Sequence, residues 1–184
     1  VLAALAVRFV FPAVSLEGRS FWILLSAPLG MSRFLWSKFL GALIPLTVLT
    51  CLLAALTNYV LEPPPILTVI SMLTTAIVAA AVTGLGTGLG ALYPRFKVDN
   101  PARIASGFGG VVYMIGAMTL VLVVLALEYL PVRTLYYALV RGQAPSTRRV
   151  VLSIGFSVAA LAVCGLCTYL PMRAGAKALG RRTA

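Results

Sequence analysis

The chain has 184 residues, of which 61% are hydrophobic and 10% are charged, and 15 Lys and Arg against 4 Asp and Glu give a net charge of +11. Soluble domains carry about 25% charged residues, so this composition excludes an ordinary water-soluble domain. The sequence contains no histidine, which excludes a Ser-His-Asp relay and histidine-ligated metal chemistry. The expected partner of the basic residues is membrane lipid and not nucleic acid.

Several apolar segments are long enough to cross a membrane, which takes about 20 mostly apolar residues. Residues 1–14 begin with an apolar run, and no basic segment precedes it. A signal peptide would begin with such a basic segment, so residues 1–14 are instead predicted to be the end of a spanning helix. We therefore expect the sequence to be the C-terminal part of a longer protein. Complete spans are predicted at about 37–61, 66–93, 107–130 and 150–172. The predicted fold class is all-α: a polytopic integral membrane helix bundle with four complete spanning helices and the end of a fifth.

The basic residues divide unequally between the two sides of these spans. One side holds eleven: Arg8, Arg19, Arg33, Lys38, Arg95, Lys97, Arg103, Arg173, Lys177, Arg181 and Arg182. The other side holds four: Arg133, Arg141, Arg148 and Arg149. Lys and Arg are retained on the cytoplasmic side, so segments 15–36, 94–106 and 173–184 are predicted to be cytoplasmic. The Glu62-Pro63-Pro64-Pro65 turn and a loop at 131–149 are predicted to be external, with residues 134–140 suited to lie in the interface.

A glycine-rich run lies in the second complete span. Gly84, Gly86, Gly88 and Gly90 form two overlapping Gly-xxx-Gly spacings, 84 with 88 and 86 with 90. A phosphate-binding loop would need a following Lys-Ser or Lys-Thr after a strand, and neither is present. The spacing favours close packing of helices in lipid, and a local unwinding that lines a pathway is the alternative.

Few side chains within the spans suggest chemistry. Glu128 is predicted to lie two or three residues from a helix end, where its carboxylate reaches interfacial water, and Lys38 is expected to extend to the interface in the same way. Cys164 and Cys167 have the spacing of a redox motif but lie in mid-span, where thiolates are disfavoured. Together with Cys51 they predict neither a disulfide framework nor a metal site.

The segment 15–28 is predicted to form a short helix. Ser15 is suited to the N-cap, Glu17 lies in the first turn, and Pro28 ends the helix. Its two faces are imperfectly amphipathic, with Arg19 on the polar face and Phe21 on the apolar one. Two interpretations are open: an interfacial helix that anchors the loop, or a docking surface for a partner protein.

Two segments carry a resemblance to a known family. Glu17-Gly18-Arg19, an apolar run, Ser26-Ala27-Pro28 and then Leu35 and Lys38 resemble the segment between the second and third spanning helices of permease subunits of ABC-type exporters. In that family this segment is the coupling helix, which contacts the ATPase subunit. The segment 93–101 is similar to the cytoplasmic loop before the fifth span of those subunits. The resemblance covers the whole chain in span order, without the elbow helix, the first span and most of the second.

The resemblance implies a membrane (permease) subunit of an ABC-type exporter, in the bacterial cytoplasmic (inner) membrane, that forms a homodimer or heterodimer. It implies a separate ABC ATPase (nucleotide-binding) subunit as partner: that subunit uses ATP, whereas this chain has no ATPase site, binds no cofactor directly and is not an enzyme. The residues implied at the ATPase interface are Glu17, Arg19, Phe21, Trp22 and Pro28. Those of the second cytoplasmic loop are Arg95, Lys97, Asp99 and Asn100.

Two other functions are compatible with the composition. An intramembrane lipid-modifying enzyme would use basic loops to hold phosphate headgroups, but such enzymes cluster acidic residues, whereas the four here are scattered: Glu17, Glu62, Asp99 and Glu128. A structural membrane anchor would leave both loop motifs unexplained.

Overall fold

The computed structural model describes residues 2–16, 31–94, 101–142 and 146–181, and the regular structure in these ranges is helical. The elements are α1 (Leu2–Phe9), a 3₁₀ turn (Phe11–Ala13), α2 (Met31–Leu61), α3 (Pro65–Leu92), α4 (Pro101–Ala105), α5 (Phe108–Arg141) and α6 (Thr147–Arg181). The predicted all-α class is confirmed.

Four helices, α2, α3, α5 and α6, are long and apolar enough to cross a membrane. The shortest, α3, has 28 residues. It is therefore about 42 Å long at 1.5 Å per residue, which exceeds the roughly 30 Å of a bilayer's hydrocarbon core. The four predicted complete spans are confirmed as helices, and α2, α5 and α6 extend beyond the predicted bounds.

The largest difference from the sequence prediction lies in α5. The span was expected to end near residue 130 and to be followed by a loop, whereas α5 continues through Pro131 to Arg141. A proline removes the hydrogen bond to the residue four positions earlier but does not end a helix that its neighbours support. The helix ends at Gly142, whose φ of 62° is left-handed and whose N–H donates to the Tyr137 carbonyl. Helix α6 likewise continues to Arg181, so the described part of segment 173–184 is helical.

A tight turn joins α2 to α3. The Glu62 N–H donates to the Asn58 carbonyl (3.0 Å), and Glu62 adopts a left-handed φ of 47°. The prolines that follow cannot extend α2, and Pro65 opens α3 at the first helical position, where a missing N–H costs nothing. The two helices therefore run antiparallel side by side.

Helix α3 lies at the centre of the bundle and packs against α6, α2, α5 and α1. Its C-terminal half is the more buried half, from Ala79 to Ala91. Phe11 and Tyr113 are fully buried beside it. Many large apolar side chains point outward, such as Leu122 of α5, which is 65% exposed. An outward apolar surface is what a helix bundle in hydrocarbon requires.

Candidate functional site

Two glycines on one face of α3 contact α6. A Cβ atom added to Gly84 would lie 2.6 Å from Thr168 Cγ2 and 2.9 Å from Thr168 Cα. One added to Gly88 would collide with the backbone of Pro171. From the other side, a Cβ on Gly175 would lie 2.7 Å from the Gly88 oxygen. The backbones of α3 and α6 therefore approach each other at a distance that only small residues permit.

The other two glycines face the opposite side of α3. A Cβ on Gly90 would lie 2.5 Å from the Phe11 oxygen, and one on Gly86 would lie 3.1 Å from Val10 Cγ1 and 3.2 Å from Tyr113 Cε2. The rings of Phe11 and Tyr113 stack on each other with centroids 5.9 Å apart. Both Gly-xxx-Gly pairs therefore lie at close contacts: Gly84 and Gly88 face α6, and Gly86 and Gly90 face the 3₁₀ turn and α5.

This packing joins α1, the 3₁₀ turn, α3, α5 and α6 at one end of the bundle, which we call the packed end. Two threonines of α3 are buried at the packed end, and their hydroxyls find acceptors within their own helix. Thr83 donates to the Ala79 carbonyl (2.7 Å) and Thr87 to the Thr83 carbonyl (3.1 Å). The glycine-rich run is helical throughout and its faces are occupied by side chains and backbone of neighbouring elements. It does not fit a triphosphate, which needs exposed backbone amides.

The half of the bundle toward the α2–α3 turn is joined differently, by pairs of polar side chains whose pairing the sequence analysis did not predict. Asn58 of α2 donates to Ser71 of α3 (2.7 Å), and Ser153 of α6 donates to Thr134 of α5 (3.2 Å). Thr74 of α3 donates to Glu128 of α5 (2.8 Å). The sequence signal was the presence of polar residues inside apolar spans, but their pairing could not be read from it. We call this half the hydrogen-bonded end.

Glu128 differs from its predicted setting. It was expected two or three residues before a helix end, but α5 continues from Glu128 to Arg141, about 20 Å farther at 1.5 Å per residue. Its carboxylate is half-buried and accepts the hydroxyl of Thr74 from a neighbouring helix. The reason is the continuation of α5 through Pro131, which moves the helix end away from Glu128.

Several predicted site residues lie outside the described residues. They are Glu17, Arg19, Phe21, Trp22 and Pro28 of the first segment, and Arg95, Lys97, Asp99 and Asn100 of the second. Of the predicted N-cap region, Ser15 is buried and Leu16 is exposed. In the described part of the second cytoplasmic loop, residues Pro101–Ala105 form the short helix α4.

The cysteines lie on spanning helices. Cys51 belongs to α2, and Cys164 and Cys167 belong to α6, where Cys164 is buried. All three are free thiols. Across the described residues, no group of three or more Cys, Asp and Glu side chains could hold a metal ion.

The fold and these contacts define a helical protein of the polytopic membrane class. A family model described as "Putative ATP-binding cassette" matches residues 1–183, and the chain belongs to that family. The predicted relation to ABC proteins is thereby confirmed at the level of the family. Comparison with curated proteins and with solved structures gives no match.

The family assignment corrects one prediction. We expected a permease that is not an enzyme and has no ATPase site, but the family's description points to ATP binding and hydrolysis. The expectation came from the resemblance to permease subunits, in which a separate subunit uses ATP, and the glycine-rich run did not oppose it because it lacks the following Lys-Ser or Lys-Thr pattern of a phosphate-binding loop. Phosphates are also held by helix N-termini and other backbone arrangements, which that pattern does not detect.

Proposed function

We propose that this chain supplies membrane-spanning helices to an ATP-driven transporter of the ABC type, and that these helices move a substrate across the bacterial inner membrane. The observation that carries the proposal is the combination of four helices long and apolar enough to span with a family match over residues 1–183. An ATP-binding family and a polytopic bundle together favour transport over a purely structural anchor, which would have no use for ATP.

The two ends of the bundle favour a rocking motion. At the packed end, helix backbones are in contact at Gly84, Gly88 and Gly90, so this end would move as one body. At the hydrogen-bonded end, the helices are linked by side-chain pairs such as Thr74 with Glu128, which can separate and find other partners. In one state of an alternating-access cycle, this end would open while the packed end moves as one body.

We propose that segment 15–28 contacts the nucleotide-binding part of the transporter. The support is the resemblance of Glu17-Gly18-Arg19 to a coupling helix, together with the basic asymmetry that predicts a cytoplasmic position. Phe21 and Trp22 would be its apolar anchors, and Pro28 would end it. The second loop, with Arg95, Lys97, Asp99 and Asn100, would lie on the same side. The proposed assembly is a homodimer or heterodimer of such subunits with an ABC ATPase subunit.

Reconstitution tests this function. The protein is placed in lipid vesicles alone and together with the ABC ATPase subunit proposed as its partner. Binding of a labelled ATP analogue, ATP hydrolysis and release of trapped candidate substrates are then measured. We expect ATP-dependent substrate movement that stops with a non-hydrolysable analogue. Nucleotide binding by the chain alone would assign ATP contacts to it, and absence of ATP-dependent movement from both preparations would contradict transport.

A charge reversal tests the coupling segment. Arg19→Glu should uncouple ATP hydrolysis from transport, since loss of a buried, paired interface charge costs about 2–5 kcal/mol. The matched control is Arg148→Glu, an exposed position at the start of α6 that is predicted to be external. If both variants insert normally and Arg19→Glu remains fully coupled, the assignment of segment 15–28 is wrong.

A further inference from the structure

An open groove lies between α1 with its 3₁₀ turn and the first half of α2. Its volume is about 620 Å³, and its walls are mainly apolar, including Leu5, Phe9, Ala42 and Leu49. Along α2 it extends from Ser37 to Leu49. That is about 18 Å at 1.5 Å per residue, which is close to half of the roughly 30 Å hydrocarbon core. The groove therefore has the length of a single leaflet.

Gly41 and Pro45 of α2 line the groove. Gly41 has no side chain, and a Cβ atom added there would meet nothing within 4 Å. Pro45 has no N–H to donate to the Gly41 carbonyl four positions earlier. Because Gly41 has no side chain, this part of α2 leaves room for a chain-like apolar ligand.

One end of the groove is basic. Lys38 lines it, and its ammonium lies 5.7 Å from the centre of the Phe34 ring. An ammonium has three N–H donors, so it can serve a further acceptor in addition to its contacts within the protein. Arg8 and Arg33 are exposed on the same two helices. The acidic residues that the structure describes, Glu62 and Glu128, belong to the hydrogen-bonded end.

We propose that this groove binds an anionic phospholipid from the leaflet at the Lys38 end. One acyl chain lies along the apolar walls, and the lipid phosphate contacts Lys38. The assignment rests on two features: the groove is about as long as one leaflet, and Lys38, which the sequence predicts to extend to the interface, lines one end of it. The site is independent of the proposed transport function, since it uses only the contacts of α1 and α2.

Lipid titration tests the site. The full-length protein in detergent is titrated with phosphatidylglycerol or with phosphatidylcholine of the same acyl chains, and bound lipid is counted by native mass spectrometry while the melting temperature is recorded. We expect phosphatidylglycerol to bind more tightly and to raise the melting temperature more. Lys38→Gln should weaken phosphatidylglycerol binding about fivefold, the effect of one basic side chain facing an anionic lipid, and should remove the preference.

A second test of the lipid site fills the groove with a side chain. Gly41→Leu places a side chain in the groove, whereas Gly165→Leu places the same side chain on an exposed face of α6 that also has no neighbour within 4 Å. Only Gly41→Leu should abolish the tightly bound phosphatidylglycerol. Equal binding by the two variants, or equal binding of both lipids by the unaltered protein, would overturn the proposal. A change from dimer to monomer caused by Gly41→Leu alone would also overturn it, because a second copy would then occupy the groove.

Discussion

Single glycines decide how closely the helices of this bundle approach. At Gly88 even one additional carbon would collide with the backbone of Pro171, whereas at Gly155 it would meet nothing within 4 Å. Both residues lie in long apolar helices, and the sequence around them does not reveal the difference. The cost of a larger side chain depends on what the neighbouring helix places opposite it.

Gly88→Ala should therefore destabilise the folded protein by about 1–3 kcal/mol, because the backbone of α6 must move to accept the methyl group. Gly155→Ala is the matched control and should be neutral or stabilising by about 0.5–1 kcal/mol, the intrinsic cost of glycine in a helix. Both can be measured as free energies of unfolding in detergent micelles. Equal stability of the two variants would show that α3 and α6 are not in close contact at Gly88.

The Thr74–Glu128 pair is the second feature at this scale, because it joins two helices through side chains that are 54 residues apart in sequence. In a membrane, such an interhelical hydrogen bond contributes about 0.6 kcal/mol on average and up to about 1.7. Thr74→Val should lower the unfolding free energy by an amount in this range, and Glu128→Gln by less, since the amide oxygen still accepts the hydroxyl.

Thr57→Val is the control for this pair. The Thr57 hydroxyl donates to the Leu53 carbonyl of its own helix (2.9 Å), so its loss breaks no contact between helices. A double-mutant cycle of Thr74→Val with Glu128→Ala, which removes the acceptor, would give the coupling energy of the pair. Identical effects of Thr74→Val and Thr57→Val would contradict the pairing.

At the scale of elements, the continuation of α5 through Pro131 has the largest consequence. It replaces the first part of the predicted loop by about three turns of helix, which carry Arg133 and Arg141 against aromatic rings. The Arg133 guanidinium lies 5.9 Å from the Tyr129 ring centre and 5.7 Å from that of Tyr137, and Arg141 lies 5.0 Å from Tyr137. These cation–π contacts stabilise the extension, although it lies beyond the proline.

Cysteine scanning of residues 132–140 tests this extension. A helix that is packed on one side predicts reactivity with a helical period, high at 132, 133, 136, 139 and 140 and low at 134, 135, 137 and 138. The scan uses a background from which Cys51, Cys164 and Cys167 have been removed. Uniform reactivity across the segment would instead indicate the loop that the sequence suggested.

At the scale of the whole molecule, the two ends of the bundle are held by different forces. Close backbone contact joins the packed end, and side-chain hydrogen bonds join the hydrogen-bonded end. The sidedness of these ends is still a prediction from the eleven-to-four division of basic residues. It places the α2–α3 turn outside and α4 in the cytoplasm.

Labelling in intact cells tests the orientation. In the cysteine-free background, a membrane-impermeant maleimide should react with Glu62→Cys and not with Arg103→Cys until the cells are opened. Both positions are exposed in the structure, so burial does not explain a difference between them. The reverse pattern would invert the topology and would place segment 15–28 on the wrong side for contact with an ATPase.

The sequence alone was sufficient for the number and type of the long helices, since unbroken apolar runs can satisfy their backbone in lipid only as helices or closed barrels. It also indicated that Gly84, Gly86, Gly88 and Gly90 permit close approach. It placed the end of α5 too early, because the effect of Pro131 depends on whether neighbouring helices and side chains support the chain beyond it.

In contrast, only the tertiary structure decided which elements of the chain contact each other. A Gly-xxx-Gly spacing states that a helix can approach but not which one, and here 84 and 88 face α6 while 86 and 90 face Val10, Phe11 and Tyr113. The same is true of Glu128, whose acceptor role depends on Thr74, and of the groove beside Lys38, which is formed by residues of two separate segments, α1 with its 3₁₀ turn and α2. Periodicity is a property of one segment, whereas contacts between distant segments depend on how all helices pack around α3.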